Sequence, residues 1–250
     1  MKSARQIGAF FDLDGTLLQP PSLEWRFIGW LAAHDHLDGE NLTRWLSHLA
    51  RTIWHDPHGA TFGNKTYLAG LRESLVADWE SSPTFASLAL RAGGLERIAW
   101  HFGQGHRVFL VSGTLDPLAR ATAQRISKEI EVRATPLHCQ NGRWTGQLAG
   151  EHMRGEAKAR AVRKLALQHE IDLSKSYAYG NGMADLPMLE AVGRPVAVNP
   201  CVGLERIATG DVNSGGRKMP PFGWRVAFWK NSTLSFKTLS QQRLYPGELQ

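Results

Sequence analysis

The stretch IGAFFDLDGTLL, residues 7–18, decides how this chain is read. An apolar run from Ile7 to Phe11 meets Asp12 and Asp14, followed by Gly15 and Thr16. Such a run reads as a buried strand, and the polar residues after it as the loop that leaves the strand's end. Side chains two apart on a strand point the same way, so Asp12 and Asp14 can face one site if extended geometry persists through Asp14.

Downstream, HRVFLVSGT supplies a second apolar strand, Val108 to Val111, ending at Ser112-Gly113-Thr114. A helix is expected from Asp116-Pro117 through Ile126, then extended pieces around EVRATPL and NGRWTGQL. Asn141-Gly142 favours a tight hairpin turn there. Another helix begins near Gly155 or Glu156 and runs to about Gln168, and SYAYGNG and PVAVNP add further strands. Strands alternating with helices describe a Rossmann-like α/β three-layer sandwich. Its sheet is mainly parallel, and its chemistry lies at the carboxyl edge.

The segment from Pro20 to His101 lacks a convincing strand. In NLTRWLSHLARTIWH, the positions Leu42, Trp45, Leu46, Leu49 and Ile53 recur with helical spacing behind Asn41, a plausible N-cap. Tyr67, Leu71, Leu75 and Trp79 repeat the spacing, and Ser82-Pro83 forms a cap and first-turn pair. Six of the nine tryptophans fall in this segment, enough to pack an all-helical subdomain, with one or two at a substrate entrance as the sharper alternative. Lying between two core strands, it is expected as an insertion. The chain divides into an α/β core of residues 1–19 and 102–250 and a helical cap of residues 20–101.

Composition bounds the remaining readings. With 250 residues, 42% hydrophobic and 21% charged, the chain is of globular type rather than disordered. Cys139 and Cys201 allow at most one bridge and lack metal-site spacing, which fits a reducing compartment. No apolar run reaches the roughly 18 residues of a membrane span, and no signal peptide is legible, so a cytoplasmic location is expected. The formal charge is +6, and residues 211–250 carry six Lys or Arg against two acidic residues. There, PPFGWRVAFWK sets Phe222, Trp224, Phe228 and Trp229 beside Arg225 and Lys230. This suits either a last strand, Arg225 to Phe228, against the sheet or peripheral contact with an anionic membrane. Nucleic acid is disfavoured, since no recognised binding module accompanies the basic residues. Oligomeric state is not legible.

The chemistry-bearing residues are Asp12, Asp14, Ser112, Lys158, Asn181 and Asp185. Two carboxylates at one strand end can hold Mg²⁺ while one attacks phosphorus. A hydroxyl and an ammonium can bind the transferring phosphoryl oxygens. Asp14 is close enough in sequence to protonate a leaving oxygen and then activate water. Taken singly, each residue also has a plain structural reading: a loop or helix cap for Asp12, Asp14, Ser112 and Asp185, a solvated basic face for Lys158. DLDGT starts like a calcium loop, but Leu17 stands where that loop needs Gly and Leu23 where it needs Glu. No GxxxxGK[ST], HExxH or GxSxG motif is present, and YGNGMAD lacks GxGxxG spacing.

Together, DLDGTL, VSGT, GEAKARAV and YAYGNGMADLPML resemble, in order, the four motifs of the haloacid-dehalogenase-like superfamily. The likeness is to its phosphoserine-phosphatase-like branch, subfamily IB, which carries a helical cap after the first strand. The resemblance implies a Mg²⁺-dependent phosphomonoester hydrolase acting on a small phosphorylated metabolite. Asp12 would be the nucleophile that forms an aspartyl-phosphate, and Asp14 the acid/base that also lends Mg²⁺ its backbone carbonyl. Ser112 and the Gly113 backbone would bind phosphoryl oxygen, and Lys158 would neutralise it. Asn181 and Asp185 would complete the metal site. Position 181 departs from the family's more usual Asp, removing one negative charge from that site.

For the leaving group, Glu24, Arg26, Arg72 and Glu73 are the charged cap candidates. A lipid or glycerol phosphate at a membrane surface is the alternative substrate, and a non-catalytic phosphate-binding or scaffold role the alternative function.

Overall fold

The computed structural model describes residues 5–52, 64–210, 224–229 and 233–234. Its centre is a six-stranded sheet in the order β4 (Glu131–Thr135), β3 (Arg107–Leu115), β1 (Gly8–Phe11), β7 (Tyr177–Gly180), β8 (Arg194–Val198) and β9 (Arg225–Ala227). Every ladder in it is parallel. From β1 the chain builds outward through β3 and β4, then returns to build the other side through β7, β8 and β9. The order therefore reverses between β1 and β7, and the crevice beyond those carboxyl ends is where open α/β sheets bind ligands.

Alternation along the strands explains why the sheet is covered on both faces. Ala9, Phe11, Val108 and Leu110 join one buried cluster with α5 (Ala92–Gly103) and α6 (Asp116–Ile126). Phe10, Phe109, Val111 and Ala178 join the opposite cluster with α7 (Glu156–Gln168), α8 (Leu186–Glu190) and α9 (Val202–Thr209). Phe11 stacks on Tyr179 at 4.3 Å between centroids, and Phe10 on Phe109 at 5.0 Å. The three-layer α/β expectation holds.

The inserted segment extends the first cluster. It contains α1 (Leu23–Ala33), α2 (Gly39–Thr52), α3 (Leu75–Glu80) and α4 (Pro83–Ala86), followed by the short strand β2 (Leu90–Arg91), which pairs with β10 (Thr233–Leu234). Phe27, Trp30, Tyr67, Trp79 and Phe85 are buried there, so much of the tryptophan-rich composition serves packing. Trp25 is exposed, and Trp54 lies outside the described residues.

Three local expectations change. Asn41 is not the N-cap of α2. Asp38 occupies that place, its Oδ1 accepting from the Asn41 amide at 2.8 Å, while the Asn41 side chain donates to the Tyr67 and Ala69 carbonyls. Tyr67 to Trp79 is not one helix. Gly70 at φ +85° ends a single 3₁₀ turn, and its amide bonds the Trp144 carbonyl. The following residue, Leu71, accepts from the Trp144 amide, so the segment pairs with a strand instead of continuing as a helix. That strand belongs to the hairpin β5 (Leu137–Gln140) and β6 (Arg143–Leu148). Its turn residues Asn141 and Gly142 both have positive φ, as an Asn-Gly turn requires. Finally, β3 runs on through Ser112–Thr114 with a register shift against β4.

At the end of α5, His101 is fully buried. Its Nε2 lies 2.9 Å from the Tyr179 hydroxyl, and its Nδ1 2.8 Å from His106 Nδ1. Burial, helped by His106 and Arg97, pushes its pKa down to about 3, so the ring is neutral and ties α5 to β7.

The C-terminal strand reading holds for Arg225–Ala227, which forms the sheet edge. Phe228 is exposed, while Trp229 packs over Gly93 and Gly94. Phe222 and Lys230, and with them most of the basic tail, lie outside the described residues. Among the described residues no helix is long and apolar enough to cross a membrane. Cys139 and Cys201 are exposed free thiols.

Candidate active site

The site forms where β1, β3 and β7 end. The Asp12 amide donates to the Tyr179 carbonyl at 2.9 Å, continuing the β1–β7 ladder one residue past the strand. The chain then curls back. The amides of Thr16, Leu17 and Leu18 all point at the Leu13 carbonyl, and Gly15 takes φ +82°. No side chain fits at Gly15: a Cβ there would come 2.2 Å from Asn181 Nδ2. This tight loop returns the Thr16 hydroxyl to Asp12 Oδ2 at 3.0 Å.

Asp14 faces the start of α1, where its Oδ1 accepts from the Leu23 amide at 2.7 Å. A carboxylate is favoured there by the partial positive charge of a helix N-terminus. Burial nevertheless pushes the Asp14 carboxyl above its ordinary range, against the pull of the Leu23 amide. That direction suits a group that must hold and release a proton.

The β3–β4 register shift places Ser112, Gly113 and Thr114 at the same edge. Thr135 pins the bend by donating its hydroxyl to the Gly113 carbonyl at 2.7 Å. Ser112 is buried and lines the crevice together with Gly113.

Lys158 enters from the first turns of α7. Its Nζ donates at 2.6 Å to both Asp12 Oδ1 and Asp185 Oδ1, and its side chain is 3% exposed. Asp185 is fixed in turn, its Oδ2 accepting from the Asn181 and Gly182 amides at 3.0 Å each. Burial alone would pull the Lys158 pKa down, but Asp12 and Asp185 hold it above its ordinary value, and it stays charged. Asp12 is pushed up to about 7, first by burial and then by the charge of Asp185, which together outweigh Lys158.

That imbalance bears on a metal. Asp12, Asp14 and Asp185 present three carboxylates to one buried ammonium, a deficit a divalent cation would offset. The donors are all hard oxygens, with the Asn181 amide oxygen 3.5 Å from the Thr16 hydroxyl beside Asp12, and this chemistry suits Mg²⁺. Among the described residues no group of three His, Cys, Asp or Glu side chains is arranged around one ion position, and the Asn181 side chain, which lines the same crevice, offers a further oxygen donor there.

All seven residues singled out from the sequence thus meet in one crevice of about 240 Å³. Of the four cap candidates, Glu24 lines it. Arg26 is bonded to the carbonyls of Gln19, Pro20 and Pro21 instead, and Arg72 pairs across to Arg143. Glu73 sits against Cys139. Lys65, His152 and Arg154 also line the crevice, and the sequence reading did not single them out for the site. A larger open groove of about 880 Å³ beside Arg163, Glu170 and Asp172 holds none of the motif residues.

A family model described as haloacid dehalogenase-like hydrolase matches residues 9–190, from β1 to the end of α8. The chain belongs to this family. A Mycobacterium tuberculosis relative named as a phosphoserine phosphatase is 30% identical over 208 residues, covering 80% of this chain and 67% of that protein. A Streptomyces coelicolor relative of the same name is 29% identical over 188 residues, covering 75% of this chain and 43% of that protein. Among solved structures, a Bordetella pertussis protein of unknown function superposes with a TM-score of 0.68 at 24% identity, covering 90% of this chain and 99% of that one. A phosphoserine phosphatase solved as a phospho-aspartyl intermediate analogue gives 0.57 at 19% identity, covering 81% and 91%. The fold of this haloacid dehalogenase-like hydrolase is therefore that of the phosphoserine phosphatases.

Proposed function

We propose that this hydrolase is a Mg²⁺-dependent phosphatase that cleaves small phosphomonoesters through an aspartyl-phosphate at Asp12. The observation that carries the reading is the buried Asp12–Lys158–Asp185 triad at the sheet's switch point, with Ser112 and Gly113 at the same edge. An anionic nucleophile needs neighbouring positive charge to approach a phosphate dianion, and Lys158 supplies it at the nucleophile itself.

The chain's own residues divide the work. One Asp12 oxygen attacks phosphorus while Ser112 Oγ and the Gly113 amide bind phosphoryl oxygens. As the ester P–O bond breaks, Asp14 gives its proton to the leaving alkoxide. Asp14 then takes a proton from a water that attacks the acyl phosphate, releasing inorganic phosphate and restoring Asp12. Asp12, the Asp14 backbone carbonyl, Asn181 and Asp185 would hold the metal, which when bound supplies further charge neutralisation at the phosphoryl group. The part of segment 20–101 that precedes α5 acts as a cap, since it contributes Ser22, Glu24 and Lys65 to the crevice. The volume of about 240 Å³ lies below the roughly 300–1,000 Å³ of drug-sized sites and favours a small ester.

The test is release of phosphate from p-nitrophenyl phosphate and a panel of metabolite and lipid monoesters, with millimolar Mg²⁺ or with chelator. Hydrolysis only with Mg²⁺ is expected. No hydrolysis of any ester with Mg²⁺ present would leave a phosphate-binding or scaffold role.

A further inference from the structure

The two linkers that join the inserted segment to the core meet each other beside the catalytic loop. Leu18, on the way out, bridges antiparallel to Leu90 of β2, on the way back. The Gln19 amide donates to the Ala89 carbonyl at 3.3 Å, and the Arg91 amide to the Leu17 carbonyl at 2.8 Å. The same stretch is tied to the loop after Asp12. The Gly15 amide donates to the Leu18 carbonyl at 2.7 Å, and the Leu18 amide to the Leu13 carbonyl at 2.8 Å. A shift at Leu17 or Leu18 therefore passes through backbone hydrogen bonds to the residues on either side of Asp14.

Residues from the far end of the chain close over this junction. β10 pairs antiparallel with β2, Thr233 opposite Arg91 and Leu234 opposite Leu90, so β2 lies between the outgoing linker and the C-terminal strand. Trp229 is held by its backbone: its amide donates to Asn199 Oδ1 at 2.7 Å, and its carbonyl accepts from Asn199 Nδ2 at 3.1 Å. Its ring lies over the start of α5, where a Cβ at Gly93 would come 3.0 Å from the ring's Cδ1 and Cγ. A Cβ at Gly94 would come 2.7 Å from Leu17 Cδ2 and 3.0 Å from Trp229 Cζ3. Leu17 and the indole thus converge on one point, and the two bare glycines make room for them. On its other side the indole lies 6.0 Å between centroids from Tyr179, whose carbonyl accepts from the Asp12 amide.

Close-packed interiors transmit displacement, so a ring wedged between α5, Leu17 and Tyr179 fixes the loop those residues support. Asn199, Trp229 and β10 all lie beyond the residues 9–190 that the family model matches. We infer that Trp229 is a positioning residue for phosphoryl transfer. By filling the space over Gly93 and Gly94 it holds Leu17, and through Leu17 the loop that returns the Thr16 hydroxyl to Asp12. The pairing of β10 with β2 fastens the returning linker from the same side. This rests on the phosphatase reading above and adds to that site a residue that touches neither substrate nor metal.

Trp229→Ala, Trp229→Phe and Gly93→Ala are compared with wild type in the full chain with Mg²⁺. Gly93→Ala is the sharper probe, because alanine suits a helix better than glycine and the three atoms nearest its methyl all belong to Trp229. In Trp229→Ala, kcat for p-nitrophenyl phosphate is expected to fall about tenfold with KM changed less than about threefold, the signature of misplaced reacting groups. Trp229→Phe should restore most of the loss, and Gly93→Ala should show a smaller fall of the same kind. Amide exchange read by mass spectrometry should quicken about tenfold over residues 13–19 and 89–91 in Trp229→Ala, with β4 unchanged. Should Trp229→Ala fail to fold, Gly93→Ala decides by the same two readings. A kcat within about twofold of wild type in every folded variant, a loss confined to KM, or exchange that rises equally in β4 overturns the assignment. Absence of aryl phosphate hydrolysis in the wild type instead sinks the phosphatase reading beneath it, and the exchange pattern then tests the hold of Trp229 on the loop.

Discussion

Lys158 Nζ lies 2.6 Å from Asp12 Oδ1, joining a helix that follows the hairpin to the end of the first strand across 146 residues of chain. The contact gives Asp12 its cationic neighbour. Because Lys158 bonds Asp185 equally, its removal strands two buried carboxylates at once. Lys158→Met is expected to lower kcat for aryl phosphate hydrolysis by about 10²–10³-fold, the range seen when one preorganised charge-stabilising donor is lost. Steady-state kinetics on folded protein checks it, and a loss below threefold would remove Lys158 from the phosphoryl site.

Gly15 couples the loop after Asp12 to Asn181. Its φ of +82° and the 2.2 Å approach of a built Cβ to Asn181 Nδ2 both forbid a side chain. Gly15→Ala should cost about 1–3 kcal/mol of stability and displace the Asn181 amide, one of the proposed metal ligands. Chemical denaturation and a Mg²⁺ activation curve would show both effects, and an unchanged activation midpoint would uncouple the loop from the metal site.

In the proposed metal site Asn181 would supply an amide oxygen where a carboxylate would add charge. Asn181→Asp should preserve or tighten the Mg²⁺ activation constant, and Asn181→Ala should weaken it, through gain or loss of one hard oxygen donor's field. Calorimetric titration with Mg²⁺ reads this apart from turnover. Identical affinity in wild type and both variants would exclude position 181 from the site.

His101 sets a pH dependence away from the chemistry. Its folded pKa of about 3 lies below the ordinary value of 6.5, so the folded state holds the neutral ring. The resulting stability is complete above about pH 6.5 and is lost progressively as pH falls toward 3. At pH 5 this amounts to about 2 kcal/mol. Urea denaturation at pH 7.5 and pH 5 should show wild type losing more than His101→Phe between the two. The variant should itself be less stable at pH 7.5 by about 1–3 kcal/mol, having left the Tyr179 hydroxyl without its partner.

The sequence was informative wherever a local pattern had one physical solution. The apolar run before Asp12 had to be a central strand. Asn141-Gly142 had to turn tightly, and Ser82-Pro83 did cap α4, the Ser82 hydroxyl accepting from the Phe85 amide at 3.2 Å. It misled where a tertiary partner competed with periodicity. Leu71 has helical spacing to Leu75, but the neighbouring hairpin claims its backbone, and Asn41 is not the N-cap but its partner three residues on: its Oδ1 accepts from the Asp38 amide at 3.4 Å while its NH₂ goes to two distant carbonyls. At the site, the motif residues were legible because each is tied to a short ordered pattern. Lys65 was not. Its partner Glu24 lies 41 positions earlier, and only folding brings the two into contact.

The central claim is that Asp12 becomes phosphorylated. Acid quenching during turnover of p-nitrophenyl phosphate with Mg²⁺, followed by borohydride reduction, converts an acyl phosphate into an alcohol at the residue that carried it. Mass spectrometry of the peptide spanning Asp12 and Asp14 should place that alcohol at position 12. Its appearance at another residue, or steady turnover with no reducible intermediate, would contradict the account.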